Sequence, residues 1–460
     1  MIRFSRYYIP APIALLVLFE TGLLFLSVKL GLLVRLSLDQ SAAAPLSVLQ
    51  AFLFVFVMQG MLVAFGLYRR AFRGGVEVML LRLLFALCLG LVALMALFYA
   101  FPDLFLKRGA VAIAFVFALV FLVLVRIGFF RLKQHRVFQR RLLVLGVEQG
   151  AREFGRLRRN NDWLGVEIVA FVPVHEEVVG DYAKDKITVL DCPLLDIVRS
   201  QSIDEIVVAS DGAGQDNLVQ DLLDCKMAGV EVVDILSFVE RQTGKIRLDM
   251  LRPQWLVYSE GFRNSLAQHA AKRVCDVILS IIVLMVAAPV MVLIAAAIWL
   301  EGLGKEPILY RQVRVGENWR LFQMIKFRSM RNESDEPRWA QVEDKRVTLV
   351  GRFIRRMHLD ELPQLINVLR GEMSLVGPRP EQAPIVEALS SRIPYYADRH
   401  RVKPGITGWA QVRYPYGASE KDAYEKLQYD LYYVKNKSFF LDCVILLQTL
   451  EVVIFRRGSR

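Results

Sequence analysis

The chain has 460 residues, 55% of them hydrophobic, a mean hydropathy of +0.37 and a formal net charge of +12. That composition excludes a small soluble domain and indicates a multi-domain integral membrane protein. The basic residues cluster beside apolar spans, which fits a membrane surface and anionic substrates, with no nucleic-acid partner.

Four apolar stretches, at about 9–33, 46–67, 78–99 and 109–125, are each long enough to cross a bilayer core of roughly 30 Å as helices. They define a four-helix transmembrane region over 1–130. Arg3 and Arg6 precede the first span. Arg69, Arg70 and Arg73 follow the second, and Arg131, Lys133, Arg136, Arg140 and Arg141 follow the fourth. The intervening loops are less basic, so the N-terminus and everything after the fourth span are placed in the cytoplasm. The first span shows no convincing signal-peptide cleavage site. Glu20 within it is expected to meet another helix, and Lys29 to snorkel to the interface. The five cysteines, Cys88, Cys192, Cys225, Cys275 and Cys443, lack metal-type spacing and read as thiols in a reducing compartment.

From about Arg140 the pattern alternates between β-branched runs (RLLVLGV, VEIVAFV, DEIVVAS, VEVVDIL) and helical stretches. This predicts a Rossmann-like α/β domain over 138–245 with a parallel sheet. The turn after its first strand, GVEQGA from Gly146 to Ala151, is one glycine short of the dinucleotide fingerprint. A structural or regulatory role is therefore expected rather than nucleotide binding. The sheet edges are natural contact surfaces, and a homodimer is a possibility. A connector over 246–269 follows, with Trp255, Tyr258 and Phe262.

Residues 272–300 are apolar enough to cross a membrane, yet both flanks are basic: Lys272 and Arg273 before, Lys305, Arg311 and Arg314 after. Pro289 lies mid-segment, where it removes a backbone hydrogen bond and kinks a helix. These features predict a re-entrant helix that enters and leaves on the cytoplasmic face. The following α-rich region, 270–460 with that helix included, is the expected catalytic domain.

Within it, Asp360 and Glu361 are adjacent carboxylates ahead of Leu362, Leu365, Ile366 and Leu369, which recur at helical spacing until Gly371. Pro363 is tolerable only in the first helical turn, placing Asp360 near a helix N-terminus, where the macrodipole favours its ionised form. Arg352, Arg355 and Arg356 lie upstream and Arg379 downstream. A carboxylate can attack a phosphoanhydride as a nucleophile, and a second carboxylate with Mg²⁺ can neutralise a diphosphate. A plain acidic helix start beside surface arginines would look the same from the Asp-Glu pair alone. His358 and His400 are expected to pack or face solvent. The charged stretch 331–345 is placed close to the nucleotide, IPYYADRHRV (393–402) at the lipid headgroups, and the apolar stretch 438–455 is read as an interfacial helix.

The ordered motifs KFRSM (326–330), DKRVT (344–348), DELPQLINVL (360–369), GEMSLVGPRP (371–380) and VKPGITGWAQV (402–412) resemble the bacterial sugar transferases, the monotopic phosphoglycosyl transferases that start exopolysaccharide and O-antigen assembly. The resemblance covers roughly Lys272 to the C-terminus and implies transfer of a sugar phosphate from a UDP-sugar to polyprenyl phosphate at the inner membrane, with UMP released. It implies Asp360 as nucleophile, Glu361 as Mg²⁺ ligand, and Lys326 and Arg379 as phosphate-binding residues. It also implies that Asp430 pairs with Arg355 beside the site. The family's re-entrant helix breaks at a Ser-Pro pair, whereas here Ala288 precedes Pro289.

Two other functions remain open on the sequence. A membrane-anchored NAD-dependent dehydratase or epimerase would need a full glycine fingerprint and a Tyr-x-x-x-Lys; Tyr182/Lys186 and Tyr433/Lys437 both match that spacing. A non-enzymatic scaffold for polysaccharide assembly is the other.

Overall fold

A computed structural model describes residues 2–4, 7–9, 11–38, 47–68, 76–104, 108–134, 139–147, 153–155, 166–173, 193–209, 216–251, 266–331, 346–414 and 419–455, plus residues 253, 255, 261 and 417. It divides into two compact units whose boundary falls between Gly244 and Lys245.

In the first unit, α1 (Ala11–Leu38), α2 (Val48–Ala64), α3 (Val76–Ala100) and α4 (Arg108–Gln134) are the four apolar helices expected. α2, with 17 residues, is at the short limit for a crossing. Phe19, Phe52, Phe56, Phe85, Val92 and Leu124 are exposed, as befits side chains that face lipid. α1 and α4 approach so closely that a Cβ on Gly31 would lie 2.7 Å from the Ala110 carbonyl oxygen. Such small-residue contacts are how membrane helices gain packing energy.

Glu20 is fully buried and meets the helix partner expected of it. Arg126 on α4 reaches it through Nε and Nη2, each at 2.8 Å, and the Tyr68 hydroxyl also donates to it. Gln59 Nε2 donates to that hydroxyl at 2.8 Å, and Arg126 Nη1 to the Leu67 carbonyl at 3.1 Å. In a medium without water such groups must satisfy one another.

The same unit holds the predicted parallel sheet of β1 (Arg140–Leu145), β2 (Val166–Val172), β3 (Glu205–Val208) and β4 (Glu231–Asp234), in the order β2-β1-β3-β4. α5 (Leu194–Ser200), α6 (Asp216–Met227) and α7 (Ile235–Thr243) complete it. Leu143, Leu145, Ile206, Ile197 and Leu218 form its core. Glu205, 1% exposed, is bonded by Arg241, which also holds Glu231 at 2.9 Å. Most of the fingerprint turn, residues 148–151, and the Tyr182/Lys186 pair lie outside the described residues.

The second unit begins earlier than the 270–460 expected for the catalytic domain. The stretch read as a connector packs on it: Ile246 N donates to the Gln428 carbonyl at 3.0 Å, and Lys435 Nζ stands 3.8 Å above the Trp255 ring. α8 (Leu266–Glu301) is continuous through Pro289, so the expected break does not interrupt the helix. One missing hydrogen bond is a local defect that the flanking turns of a 36-residue helix absorb.

Both ends of α8 are fastened to this unit. Near its start, Lys272 Nζ reaches Asp442 Oδ2 at 2.7 Å, and Asp276 Oδ2 accepts from Ser374 Oγ at 2.8 Å. Near its end, Ile294 and Ile298 pack with Phe327 and Ile354, and Glu301 Oε1 accepts from Leu349 N at 2.9 Å. Between them Ile281, Ile282, Met285, Val286, Val290 and Val292 stand exposed.

The antiparallel hairpin β5 (Leu309–Val315) and β6 (Leu321–Phe327) follows, then α9 (Leu349–Arg356), α10 (Gln364–Arg370), β7 (Ser374–Val376) and α11 (Ala383–Arg392). β8 (Gly405–Thr407) pairs parallel with β7, and α12 (Trp409–Arg413), α13 (Glu420–Asn436) and α14 (Phe439–Phe455) close the unit. Gly351 is required sterically, because a Cβ there would lie 2.1 Å from the Ser329 carbonyl oxygen.

Candidate active site

Asp360 and Glu361 lie on a 3-10 turn, Leu359–Glu361, between α9 and α10. α9 is started by Thr348, whose Oγ1 accepts from Gly351 N at 2.9 Å, and it ends at Met357. His358 then takes a left-handed backbone (φ 55°) that reverses the chain into the turn. Pro363 caps α10 from outside, so its missing N–H costs nothing there. α10 stops at Gly371 (φ 84°) as its sequence predicts, and Arg273 donates to its last carbonyls, Val368 at 2.5 Å and Leu369 at 2.7 Å.

The seven-residue α10 begins four residues after Asp360. Asp360 is thus near the helix start but outside its first turn, and the expected stabilisation of its ionised form by the helix gives way to other groups. Burial, reinforced by the neighbouring Glu361 charge, raises the Asp360 carboxyl above the usual carboxylate range. Glu361 goes the other way: burial alone would raise it, but Arg379 and Lys326 outweigh burial and hold its carboxyl at about 2. Adjacent carboxylates whose environments push them apart can take different roles.

Three further elements converge on this turn. Lys326, on β6, stands 3.7 Å from Glu361 Oε1; burial lowers its ammonium pKa while Glu361 opposes that. Arg379 donates to the same Oε1 at 2.5 Å from the loop after β7. That loop is placed by backbone contact: Gly377 N donates to the Thr407 carbonyl and Gly405 N to the Pro378 carbonyl, both at 2.9 Å. A Cβ on Gly405 would sit 2.1 Å from Gly377 N, so the GPRP and PGITG segments touch only because both are glycine there.

Asn367 ties the carboxylate-bearing segment to the lysine-bearing strand. It is fully buried, its Oδ1 accepts from Ile325 N at 3.0 Å and its Nδ2 donates to the Gln323 carbonyl at 2.7 Å. Nothing in the sequence marks it apart from the rest of the motif.

Asp360, Glu361, Lys326 and Arg379 are thus brought together as expected. The expected Arg355–Asp430 pair is not formed. Asp430 is bound by Arg399 at 2.8 Å, and Arg355 has no side-chain partner among the described residues. Arg355 lies on α9, whereas Arg399 sits in the turn Tyr396–Arg401 packed against α13. Arg399 Nη2 also donates to the Arg379 carbonyl at 3.0 Å, so the pair braces the loop that carries Arg379. His400 is buried against Trp319, its ring 5.3 Å away, and burial with the Arg399 charge lowers its pKa to about 3, which suits packing and not acid–base work.

Burial raises the Asp430 carboxyl to about 6 despite Arg399. The folded state therefore holds a proton that the unfolded chain, near 3.9, has released, and this contribution to stability is lost as pH rises from about 4 to 6. Asp430→Asn should flatten that dependence, by up to about 3 kcal/mol, read from melting temperatures of wild type and variant between pH 4 and 7.

Among the described residues no group of three or more His, Cys, Asp or Glu forms a metal cage. The donor set still fits Mg²⁺, which commonly takes one or two carboxylates and completes its shell with substrate phosphate and water. Glu361 is ionised, both of its cations sit on Oε1, and Oε2 has no described partner.

Beside the site α9 presents Leu349, Phe353 and Met357 on one exposed face, with Arg352 and Arg356 also exposed. An apolar stripe between basic residues is the pattern of a helix lying at a lipid interface.

Two family patterns match the chain: Bacterial sugar transferase over residues 267–456 and CoA-binding domain over 63–232. A UDP-N-acetylgalactosamine-undecaprenyl-phosphate N-acetylgalactosaminephosphotransferase of Aeromonas hydrophila is 38% identical over 273 residues, 59% of this chain and 63% of the relative. A UDP-glucose:undecaprenyl-phosphate glucose-1-phosphate transferase of Escherichia coli is 33% identical over 71% of this chain and 70% of the relative. One of the same description from Xanthomonas campestris is 32% identical over 77% and 75%. With Lys326 and Arg379 brought against Glu361 beside Asp360, and these relatives aligned across most of their length, the chain belongs to the bacterial sugar transferase family and is an enzyme of the phosphoglycosyl transferase class.

Proposed function

We propose that this enzyme transfers a sugar 1-phosphate from a UDP-sugar to polyprenyl phosphate on the cytoplasmic face of the inner membrane, releasing UMP. The observation that carries this reading is the meeting of Asp360 and Glu361 with Lys326 and Arg379 beside the exposed apolar face of α9. A carboxylate oxygen of Asp360 attacks the sugar-linked phosphorus, and the bond to the bridging oxygen breaks with its electron pair leaving on UMP. The lipid phosphate then attacks the same phosphorus and the Asp360 carboxylate leaves. Lys326 and Arg379 hold the phosphate oxygens as charge develops. Mg²⁺, held by Glu361, would supply further charge neutralisation on the diphosphate. Undecaprenyl phosphate keeps its headgroup at the interface because its tail cannot leave the lipid, which calls for a nucleophile at that level. The direct test is UMP release by the purified full-length protein across a panel of UDP-sugars with undecaprenyl phosphate. No release with any donor would defeat the proposal, and saturable NAD binding would favour the dehydratase.

The same reaction requires both flanks of α8 on the cytoplasmic side. Both its ends bind the unit that carries Asp360, while its middle is apolar and exposed, as a re-entrant segment would be. A cysteine at Gln268 and one at Lys305, after removal of the native cysteines, should be labelled by an impermeant thiol reagent in inverted vesicles only. Lys305 is chosen because the adjacent Gly304 has φ 71°, where a cysteine would be strained. Labelling of Lys305→Cys from outside intact cells would contradict the topology.

A further inference from the structure

The small pocket beside the nucleophile is lined by Lys326, Arg379, Gln364, Met324, Pro380, Gly405 and one further cation, Arg314 on β5. Arg314 is 15% exposed at its side chain, and its contacts are poor for a buried guanidinium. Nη1 lies 3.4 Å from the Pro380 carbonyl and 3.5 Å from Glu381 Oε2, at or near the limit of a hydrogen bond. Only Nη2 has a short contact, 2.5 Å to Gln312 Oε1. Nε is buried with no hydrogen-bond partner among the described residues.

A guanidinium with an unused donor is not explained by a strut between the hairpin and the GPRP loop. A strut would be expected to close on Glu381, and leaving donors unmet in a buried site is costly. Arginine's planar fork matches phosphate oxygens two at a time, which would satisfy such donors together. Gln364 and Met324 sit in the same pocket, and neither supplies a carboxylate to compete.

Its position fixes which phosphate it meets. Lys326 Nζ and Arg379 Nη2 both lie against Glu361 Oε1, the neighbour of Asp360, whereas the described contacts of Arg314 are with Gln312, Pro380 and Glu381. It therefore stands one place further from the nucleophile than the other two cations. If the sugar-linked phosphorus lies at Asp360, the neighbouring phosphate of the same donor, the one that departs with the nucleoside, lies toward Arg314.

We infer that Arg314 is a third phosphate-binding residue of the site, gripping the phosphate that leaves as UMP and taking no direct part in binding the lipid phosphate; this rests on the transfer reaction proposed above. The test uses the full-length protein in lipid nanodiscs, with UMP as the probe. Calorimetry should show UMP binding to wild type and roughly 10- to 100-fold weaker binding to Arg314→Gln, the range for losing a charge-assisted contact. In turnover, the same variant should raise KM for UDP-sugar and leave KM for undecaprenyl phosphate near that of wild type. Arg314→Lys keeps a cation but loses the fork, and it should bind UMP several-fold more weakly while folding normally. It decides the matter if Arg314→Gln is unstable. Wild-type UMP affinity in either folded variant would overturn the inference and leave the transfer reaction standing. Equal losses toward UMP and the lipid phosphate would overturn the assignment to the leaving group. Absence of both UMP binding and UMP release in the wild type would instead defeat the reaction itself, and the inference with it.

Discussion

Asp360→Asn should abolish sugar-phosphate transfer, by about a thousandfold or more, because an amide cannot form the acyl phosphate. The same substitution should leave the protein folded. Asp360 is 8% exposed, and burial already disfavours its charged form. An uncharged side chain of equal shape is no harder to bury, so the melting temperature should be unchanged or slightly higher. Loss of turnover with an intact melting transition is thus the expected pair of results. UMP binding should survive, since Lys326 and Arg379 remain. Near-normal turnover of Asp360→Asn would remove the nucleophile from the mechanism.

Glu361→Gln is expected to differ in kind. Glu361 holds Arg379 at 2.5 Å and faces Lys326 at 3.7 Å, and these cations keep its carboxyl at about 2. Without that charge two neighbouring cations repel each other, so this variant should lose stability as well as activity. Arg379 is 41% exposed, so solvent screens one side of the pair. The expected cost is then on the order of 1–3 kcal/mol, below that of breaking a fully buried pair. Activity should fall by about a hundredfold, with partial recovery on raising Mg²⁺ if Glu361 is a metal ligand. A melting temperature equal to wild type would show that the cations do not depend on Glu361. Recovery absent at every Mg²⁺ concentration would count against its role as ligand. Together the two variants separate the carboxylate that reacts from the one that organises charge.

Much of this was legible in the chain. Apolar runs of membrane length specified α1 to α4 and α8, because lipid leaves the backbone no stable alternative to a helix there. Alternating β-branched runs specified the parallel sheet, and Gly371 the end of α10, since only local backbone geometry is involved. Asp360 and Glu361 stood out as an adjacent carboxylate pair with Arg379 downstream, and the family resemblance of the ordered motifs joined Lys326 to them as a group.

Other features required the folded chain. The partner of Asp430 is Arg399, 31 positions away, while the expected Arg355 has no side-chain partner among the described residues. Spacing along a sequence carries no record of which of several arginines a buried carboxylate will meet. The opposite shifts of adjacent Asp360 and Glu361 arise the same way, from unequal access to Arg379 and Lys326. Asn367 and Arg314 became visible only through a strand-to-helix hydrogen bond and an unmet buried donor. Periodicity and residue chemistry determined which elements form and which groups can react; long-range packing, which sets burial and distance and so the electrostatics, decided which of those groups face one another.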